Sequence, residues 1–217
     1  MLDPELIRDN LARVREAVGP GVEILAATKY VEAADLPALA AGGVTLVGEN
    51  RSDALLEKQT LHGPLFTWDF IGQLQSRKVR DIVGRVRLIH SVGSLSACSQ
   101  IQARAESPAD CLLEVNVAGE DSKAGVPLAE VDGFLEQVEE LERVRFRGLM
   151  TMPPLAATPD EARPWFAALR AERDRLAERW GGRHEFRELS MGTSQDYAAA
   201  AAEGATIVRV GSVLYGR

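Results

Sequence analysis

Cysteine and histidine are both scarce here, and each scarcity removes a class of function. Two cysteines, Cys98 and Cys111, and three histidines, His62, His90 and His184, occur in 217 residues. The cysteines lack metal-ligand spacing and a chain of this length needs no disulfide, so reduced thiols are expected. The histidines are too scattered in sequence to suggest a metal cluster. Positive charge is in deficit as well: 25 Lys and Arg against 32 Asp and Glu leave a net charge of -7, with no field to attract nucleic acid or an anionic membrane. No apolar stretch is long enough to span a bilayer, and Met1-Leu2-Asp3-Pro4-Glu5 lacks a basic region followed by an apolar core, so a cytoplasmic location is expected. Low complexity is limited to the alanine run at residues 198–202, which is strong helix former and nothing more. No linker is evident, and residues 1–217 read as one domain.

What the chain does have is regular alternation. Leu6, Ile7, Leu11, Val14 and Val18 recur at helical spacing behind Asp3 as N-cap, and Gly19-Pro20 stops the helix. Strand-like segments follow near residues 23–29, 45–48, 68–72, 87–92, 111–117, 145–151, 187–191 and 206–211, each but the last followed by helix-compatible sequence. Several are near-continuous apolar runs, such as Cys111-Leu112-Leu113 with Val115 and Val117, as burial on both faces of a parallel sheet requires. Eight such units predict an α/β fold, a closed (β/α)8 TIM barrel carrying an extra N-terminal helix.

In that architecture chemistry sits at the C-terminal ends of the strands, and unusual residues gather there. Lys29 ends the first strand, Gly48-Glu49-Asn50-Arg51 follows the second and Gly72-Gln73-Leu74-Gln75 the third. His90-Ser91, Asn116, Met150-Thr151-Met152, Ser190-Met191-Gly192-Thr193-Ser194 and Arg209-Val210-Gly211-Ser212 follow in turn. A partly desolvated lysine at a strand tip can lose its proton and attack an aldehyde, although most lysines are solvated and structurally idle. Ser190, Gly192, Thr193, Gly211 and Ser212 read as a phosphate cradle after strands seven and eight, or as caps of a helix beginning near Ser194. Arg209 lies inside the apolar run Thr206-Ile207-Val208-Arg209-Val210, where a guanidinium must have a carboxylate partner or face a cavity. A lysine for an aldehyde, a phosphate cup and a strand-borne arginine together specify pyridoxal 5'-phosphate more closely than any other cofactor.

The segments Ala27-Thr28-Lys29, Gly48-Glu49-Asn50-Arg51, Phe70-Ile71-Gly72 with Leu74-Gln75-Ser76, Ile89-His90-Ser91-Val92, Val115-Asn116-Val117, Gly148-Leu149-Met150-Thr151-Met152-Pro153, Leu189-Ser190-Met191-Gly192 and Val208-Arg209-Val210-Gly211 resemble, in order, the pyridoxal phosphate homeostasis protein family of the YggS/PROSC type. The resemblance implies a barrel similar to the N-terminal domain of alanine racemase, with the cofactor held as a Schiff base on Lys29. It places Arg209 at the pyridine nitrogen, Ser190, Thr193, Gly211 and Ser212 at the phosphate, and Asn50, His90 and Met150 near the cofactor. Departures are Gln73 where many members have histidine, Thr193 where many have methionine, and Arg51 where an aromatic residue or valine is usual. The change at Thr193 puts its side-chain contact with phosphate in doubt more than its backbone contact. Lys123 is a second amine near the mouth, read as a solvated loop lysine or as a secondary aldehyde site.

An arginine at the ring nitrogen disfavours pyridine protonation and weakens the ring as an electron sink. Alanine racemases offset this with a tyrosine from a separate β domain, for which the six residues after Gly211 leave no room. Tyr30, Tyr197 and Tyr215 have no context that assigns them to that role. The expectation is a non-catalytic or barely catalytic monomer that buffers pyridoxal phosphate or delivers it to apo-enzymes. The alternatives are an amino-acid racemase needing a partner for its second base and, less compatible with Lys29 on strand one beside Arg209 on strand eight, a sugar-phosphate aldolase.

Overall fold

Parallel strands that alternate with helices close on themselves in the computed structural model, which describes residues 2–120, 124–154 and 158–216. The strands are β1 (Glu23–Ala27), β2 (Leu46–Glu49), β3 (Thr67–Phe70), β4 (Ile89–Val92), β5 (Ala109–Asn116), β6 (Val126–Pro127), β7 (Val144–Met150), β8 (Glu188–Ser190) and β9 (Ile207–Val210). Hydrogen bonding runs β1-β2-β3-β4-β5-β7-β8-β9, and β9 returns to β1 with Ile24 opposite Val208. The two residues of β6 pair only with the end of β5 and stand outside the eight-stranded barrel. So short a ladder leaves no periodicity to read.

Outside the strands lie α2 (Leu36–Ala41), α3 (Ser52–His62), α4 (Leu95–Arg104), α5 (Val131–Gln137), α6 (Pro159–Trp180) and α7 (Tyr197–Ala202), with α1 (Pro4–Val18) preceding the barrel and α8 (Ser212–Tyr215) ending it. Asp3 caps α1 by accepting from the Glu5 amide, Pro4 occupies the first turn, and Gly19 ends the helix at a φ of 85°, as the sequence predicts. Thr158 and Glu161 form a reciprocal capping box at the start of α6. Two connections differ from expectation. Between β3 and β4 the chain makes a 3-10 turn, Ser76–Asp81, with Val79 as its only buried residue, because a segment with so little apolar surface cannot repay nucleation of a longer helix. After β9 the chain is helical for one turn where no helix was expected.

Alternation along the strands sorts side chains into two layers. Leu25, Leu46, Leu88, Leu112, Met150 and Ile207 pack together inside the barrel. Ile24, Ala26, Val47, Leu113, Leu149, Val208 and Val210 belong to the larger layer between the strands and the helices, with Phe146, Phe166 and Leu169. The inner layer is not wholly apolar: Asp69, His90, Glu114, Ser190 and Arg209 are buried too. Close approach at the top depends on Gly72, where a Cβ would lie 2.0 Å from the Asn50 carbonyl oxygen, so only glycine lets the loop after β3 rest against the end of β2.

Candidate functional site

At the C-terminal ends of the strands opens a cavity of about 760 Å³, within the range of small-molecule sites. Its wall draws on Lys29 after β1, Asn50 after β2, Ile71 and Gly72 after β3, Met152 after β7, Thr193 and Ser194 after β8, and Arg209, Gly211 and Ser212 at the end of β9. A larger cleft of about 900 Å³ lies at the N-terminal ends of β4 and β5, lined by Arg80, Arg85 and Arg104 among others. That face of a barrel ordinarily serves stability rather than chemistry, so volume does not choose the site.

Arg209 forms the floor. Burial pulls its guanidinium down to about 10, against the raising fields of Glu114 and Asp196, and it remains a cation at neutral pH. Nη2 donates to the Thr151 carbonyl at 2.9 Å, and Nη1 donates to Ser190 Oγ. Ser190 Oγ is 2.8 Å from His90 Nδ1, and His90 Nε2 is 3.0 Å from Asp69 Oδ2. Burial would raise the Asp69 carboxyl, yet hydrogen bonds from His90 and Arg87 outweigh it and hold the group below the ordinary carboxylate value. Glu114 goes the other way, raised by burial that the Arg209 charge only partly offsets.

The rim is built around a buried ion pair. Lys58, on α3, reaches Glu49 with its ammonium and also donates to the Thr28 carbonyl at 2.8 Å. Thr28 Oγ1 donates to Glu49 Oε1 at 2.7 Å, and the Asn50 amide donates to Glu49 Oε2 at 3.2 Å. This cluster ties the tip of β1 to that of β2 and fixes the chain on either side of Lys29 and Asn50. Lys29 itself is exposed, with Nζ 4.8 Å from the centre of the exposed Tyr30 ring. The partial desolvation expected from a strand-tip lysine is absent because β1 stops at Ala27 and Lys29 sits in the turn beyond it.

The loops after β8 and β9 are joined by Ser194, whose Oγ accepts from the Gly211 amide at 3.0 Å and from the Val213 amide at 3.4 Å. Thr193 directs both its amide, at 2.6 Å, and its hydroxyl, at 3.0 Å, to Asp196 Oδ1. Its donors are therefore already engaged. Tyr215 closes the side of the cavity by donating to the Ala27 carbonyl at 3.2 Å.

Of the residues singled out in the sequence, the fold brings Lys29, Asn50, Thr193, Arg209, Gly211 and Ser212 to one cavity. His90 and Ser190 lie one layer below, fully buried and bonded to each other, and Met150 packs in the interior apolar cluster. Gly192 turns the chain at a φ of 90°, where a Cβ would come within 2.6 Å of Ala200, so it serves the approach of α7. Asn116 spends its side chain on its own loop, donating to the Glu120 carbonyl at 2.8 Å and accepting from the Gly119 amide at 3.1 Å. Lys123 lies outside the described residues. Sequence reasoning passed over Lys58, Asp69, Glu114 and Tyr215 as site residues. The charges of Asp69 within Thr67-Trp68-Asp69-Phe70 and of Glu114 within the apolar run Cys111-Leu112-Leu113-Glu114-Val115 could have flagged buried polar groups.

Two histidines make the fold sensitive to acid. Burial lowers His90, although Asp69 opposes it, and burial with the nearby Arg183 charge lowers His184 to about 4. The folded chain thus keeps both rings neutral where the unfolded chain takes up protons, below about pH 6.5. This contribution to stability is present above pH 6.5 and is lost as pH falls toward 4. Thermal melts should show a lower Tm at pH 5 than at pH 7.5, and a flat profile across that interval would contradict the assignment.

Among the described residues no helix is long and apolar enough to cross a membrane, and no group of three or more His, Cys, Asp or Glu is placed to hold a metal ion. Residues 2–217 match the family model of the alanine racemase N-terminal domain. A pyridoxal phosphate homeostasis protein from Aquifex aeolicus is 37% identical, aligned over 97% of this chain and 94% of its own length. The solved structure of PipY from Synechococcus elongatus with PLP bound has a TM-score of 0.88 at 34% identity, covering 97% of this chain and 100% of that one. An alanine racemase from Corynebacterium glutamicum shares the fold at a TM-score of 0.78 with 16% identity, this chain matching 61% of its length. With this barrel and relatives aligned over nearly its whole length, the chain belongs to the pyridoxal phosphate homeostasis protein family, which has the alanine racemase N-terminal domain fold.

Proposed function

We propose that the cavity binds pyridoxal 5'-phosphate as a Schiff base on Lys29, and that the protein buffers the cofactor or passes it to apo-enzymes without substantial catalysis of its own. The observation that carries this reading is the pairing, in one cavity, of Lys29 at the rim with the buried cation Arg209 at the floor. Of the chain's four lysines, Lys58 is spent on Glu49, Lys78 lies 3.9 Å from Asp81 on the 3-10 turn, and Lys123 is outside the described residues. When bound, pyridoxal phosphate supplies an aldehyde to the lysine, a ring nitrogen and a phosphate dianion. Lys29 would hold the cofactor through its amine, a group that can condense with an aldehyde with loss of water. Arg209 would face the ring nitrogen, while Gly211, Ser212 and the Thr193-Ser194 loop would receive the phosphate, with Asn50 alongside. His90, Met150, Ser190 and Gly192 support these groups from beneath. The donors of Thr193 must leave Asp196, and the Gly211 amide must leave Ser194 Oγ, before they can serve the phosphate, so these backbones contribute only after that rearrangement.

A fixed guanidinium disfavours pyridine protonation and so leaves the ring a weak sink for a carbanion. Tyr215 is pinned to Ala27, and burial raises its hydroxyl well above the usual tyrosine value, which suits it poorly to exchange protons with a substrate. Purified protein is expected to take up pyridoxal phosphate with a visible absorbance band that borohydride bleaches, and to leave L-alanine without detectable stereoinversion. Robust racemisation would favour the racemase reading, whereas protein that remains colourless and unmodified would remove the cofactor from the cavity.

A further inference from the structure

Arg209, Ser190, His90, Asp69, Arg87 and Glu23 form a hydrogen-bonded line from the mouth of the barrel to its base, and the chemistry along it sets the direction of each proton. Arginine has donors only, so Ser190 Oγ must accept from Arg209. The serine proton is then available to His90 Nδ1, 2.8 Å away. For Nδ1 to accept it, the ring proton must sit on Nε2, which faces Asp69 Oδ2 at 3.0 Å. Asp69 is held as a carboxylate by Arg87, which donates from Nε at 3.0 Å and from Nη2 at 2.7 Å. Arg87 in turn donates through Nη1 to both oxygens of Glu23, at 2.7 and 2.9 Å, at the start of β1. The reverse direction is closed at Asp69: a carboxylate can only accept, so a neutral His90 ring must carry its proton on Nε2, and Nδ1 is left to accept from Ser190.

We propose that Ser190, His90 and Asp69 are positioning residues, a one-way relay that locks His90 as the neutral Nε2–H tautomer and holds the Arg209 guanidinium at the cavity floor. Ser190 and His90 thereby exchange the role of cofactor contact for that of support. The relay keeps a second cation away from Arg209 and gives its Nη1 one fixed acceptor, so the guanidinium does not have to be reoriented when a ligand arrives. Asp69 plays the part of the carboxylate that fixes a histidine tautomer in a Ser-His-Asp triad, where replacement by asparagine leaves the geometry intact and puts the ring proton on the wrong nitrogen.

The first test needs no ligand. In cofactor-free protein labelled with 15N-histidine, the His90 signal, identified by its loss in His90→Gln, should show the Nε2–H tautomer at pH 7.5. Asp69→Asn should shift that ring toward Nδ1–H. A charged ring or the Nδ1–H form in the unsubstituted protein would overturn the relay. The second test, which rests on the cofactor reading above, measures pyridoxal phosphate affinity. Ser190→Ala should bind about tenfold more weakly, since a hydrogen bond to a charged group is lost, while Ser190→Thr, which keeps the hydroxyl, should bind as the parent does. Equal affinity in Ser190→Ala and the parent would also overturn the proposal. Should Asp69→Asn fail to fold, the serine pair and the parent NMR spectrum still decide. Should the parent bind no pyridoxal phosphate, the cofactor reading fails and the ring tautomer alone judges the relay.

Discussion

Lys29→Ala is expected to abolish the borohydride-stable mass increase that pyridoxal phosphate leaves on the protein, while noncovalent cofactor remains bound on the order of a hundredfold more weakly, or about 2.7 kcal/mol. The residual binding has a physical source. Arg209, Gly211 and Ser212 remain in the cavity, and none of them depends on the Lys29 side chain for its position. Exposure of Lys29 makes the substitution structurally mild, so the melting temperature should change little and the loss can be assigned to chemistry. Peptide mass mapping after borohydride is the measurement. Equal adduct occupancy in the parent and the variant would move the anchor to another amine and refute the assignment.

The second large effect lies beneath the rim. Lys58→Ala would leave the Glu49 carboxylate, 0% exposed, with the Thr28 hydroxyl and the Asn50 amide as its remaining donors. Breaking one side of a buried ion pair costs roughly 3–5 kcal/mol, which for a chain of this size lowers Tm by about 10 °C. The same change frees the Thr28 carbonyl from Lys58, so the turn bearing Lys29 loses its anchor and adduct formation should slow. Replacing both partners, Glu49→Leu with Lys58→Met, removes the stranded charge and should recover most of the stability. Thermal melts of the two single variants and the double variant decide this. A drop of less than about 2 °C in Lys58→Ala, roughly the effect of an exposed pair, would show that the cluster has little structural weight.

Both effects follow from the way the barrel turns strand alternation into layers. Residues two apart share a face, so Ile207 and Arg209 both point inward while Val208 and Val210 pack toward the helices. The guanidinium thus comes to rest inside the barrel, on a strand position opposite Leu25 of the interior apolar cluster. Burial there gives Arg209 its lowered pKa and makes the Ser190 acceptor matter.

The sequence by itself determined the order of the elements, the N-terminal helix with its Asp3 cap and Gly19 stop, and the gathering of Lys29, Asn50, Thr193, Arg209, Gly211 and Ser212 around one cavity. These are properties of local pattern combined with a fold rule: periodicity marks strands and helices, and a parallel barrel gathers the residues that follow its strands at one end. Three matters were decided only by tertiary structure. The ladder Val126–Pro127 and the 3-10 turn Ser76–Asp81 depend on what lies beside them, since neither segment is long enough to carry a period. The depth of His90, Met150 and Ser190 below the cavity depends on how far each strand rises in the closed barrel, which residue spacing does not encode. The pairing of Lys58 with Glu49, and the line from Arg209 through His90 and Asp69 to Arg87, join residues from separate strands and helices. Hydrogen-bond partners are chosen by distance in space, and a single chain read in order contains no record of it.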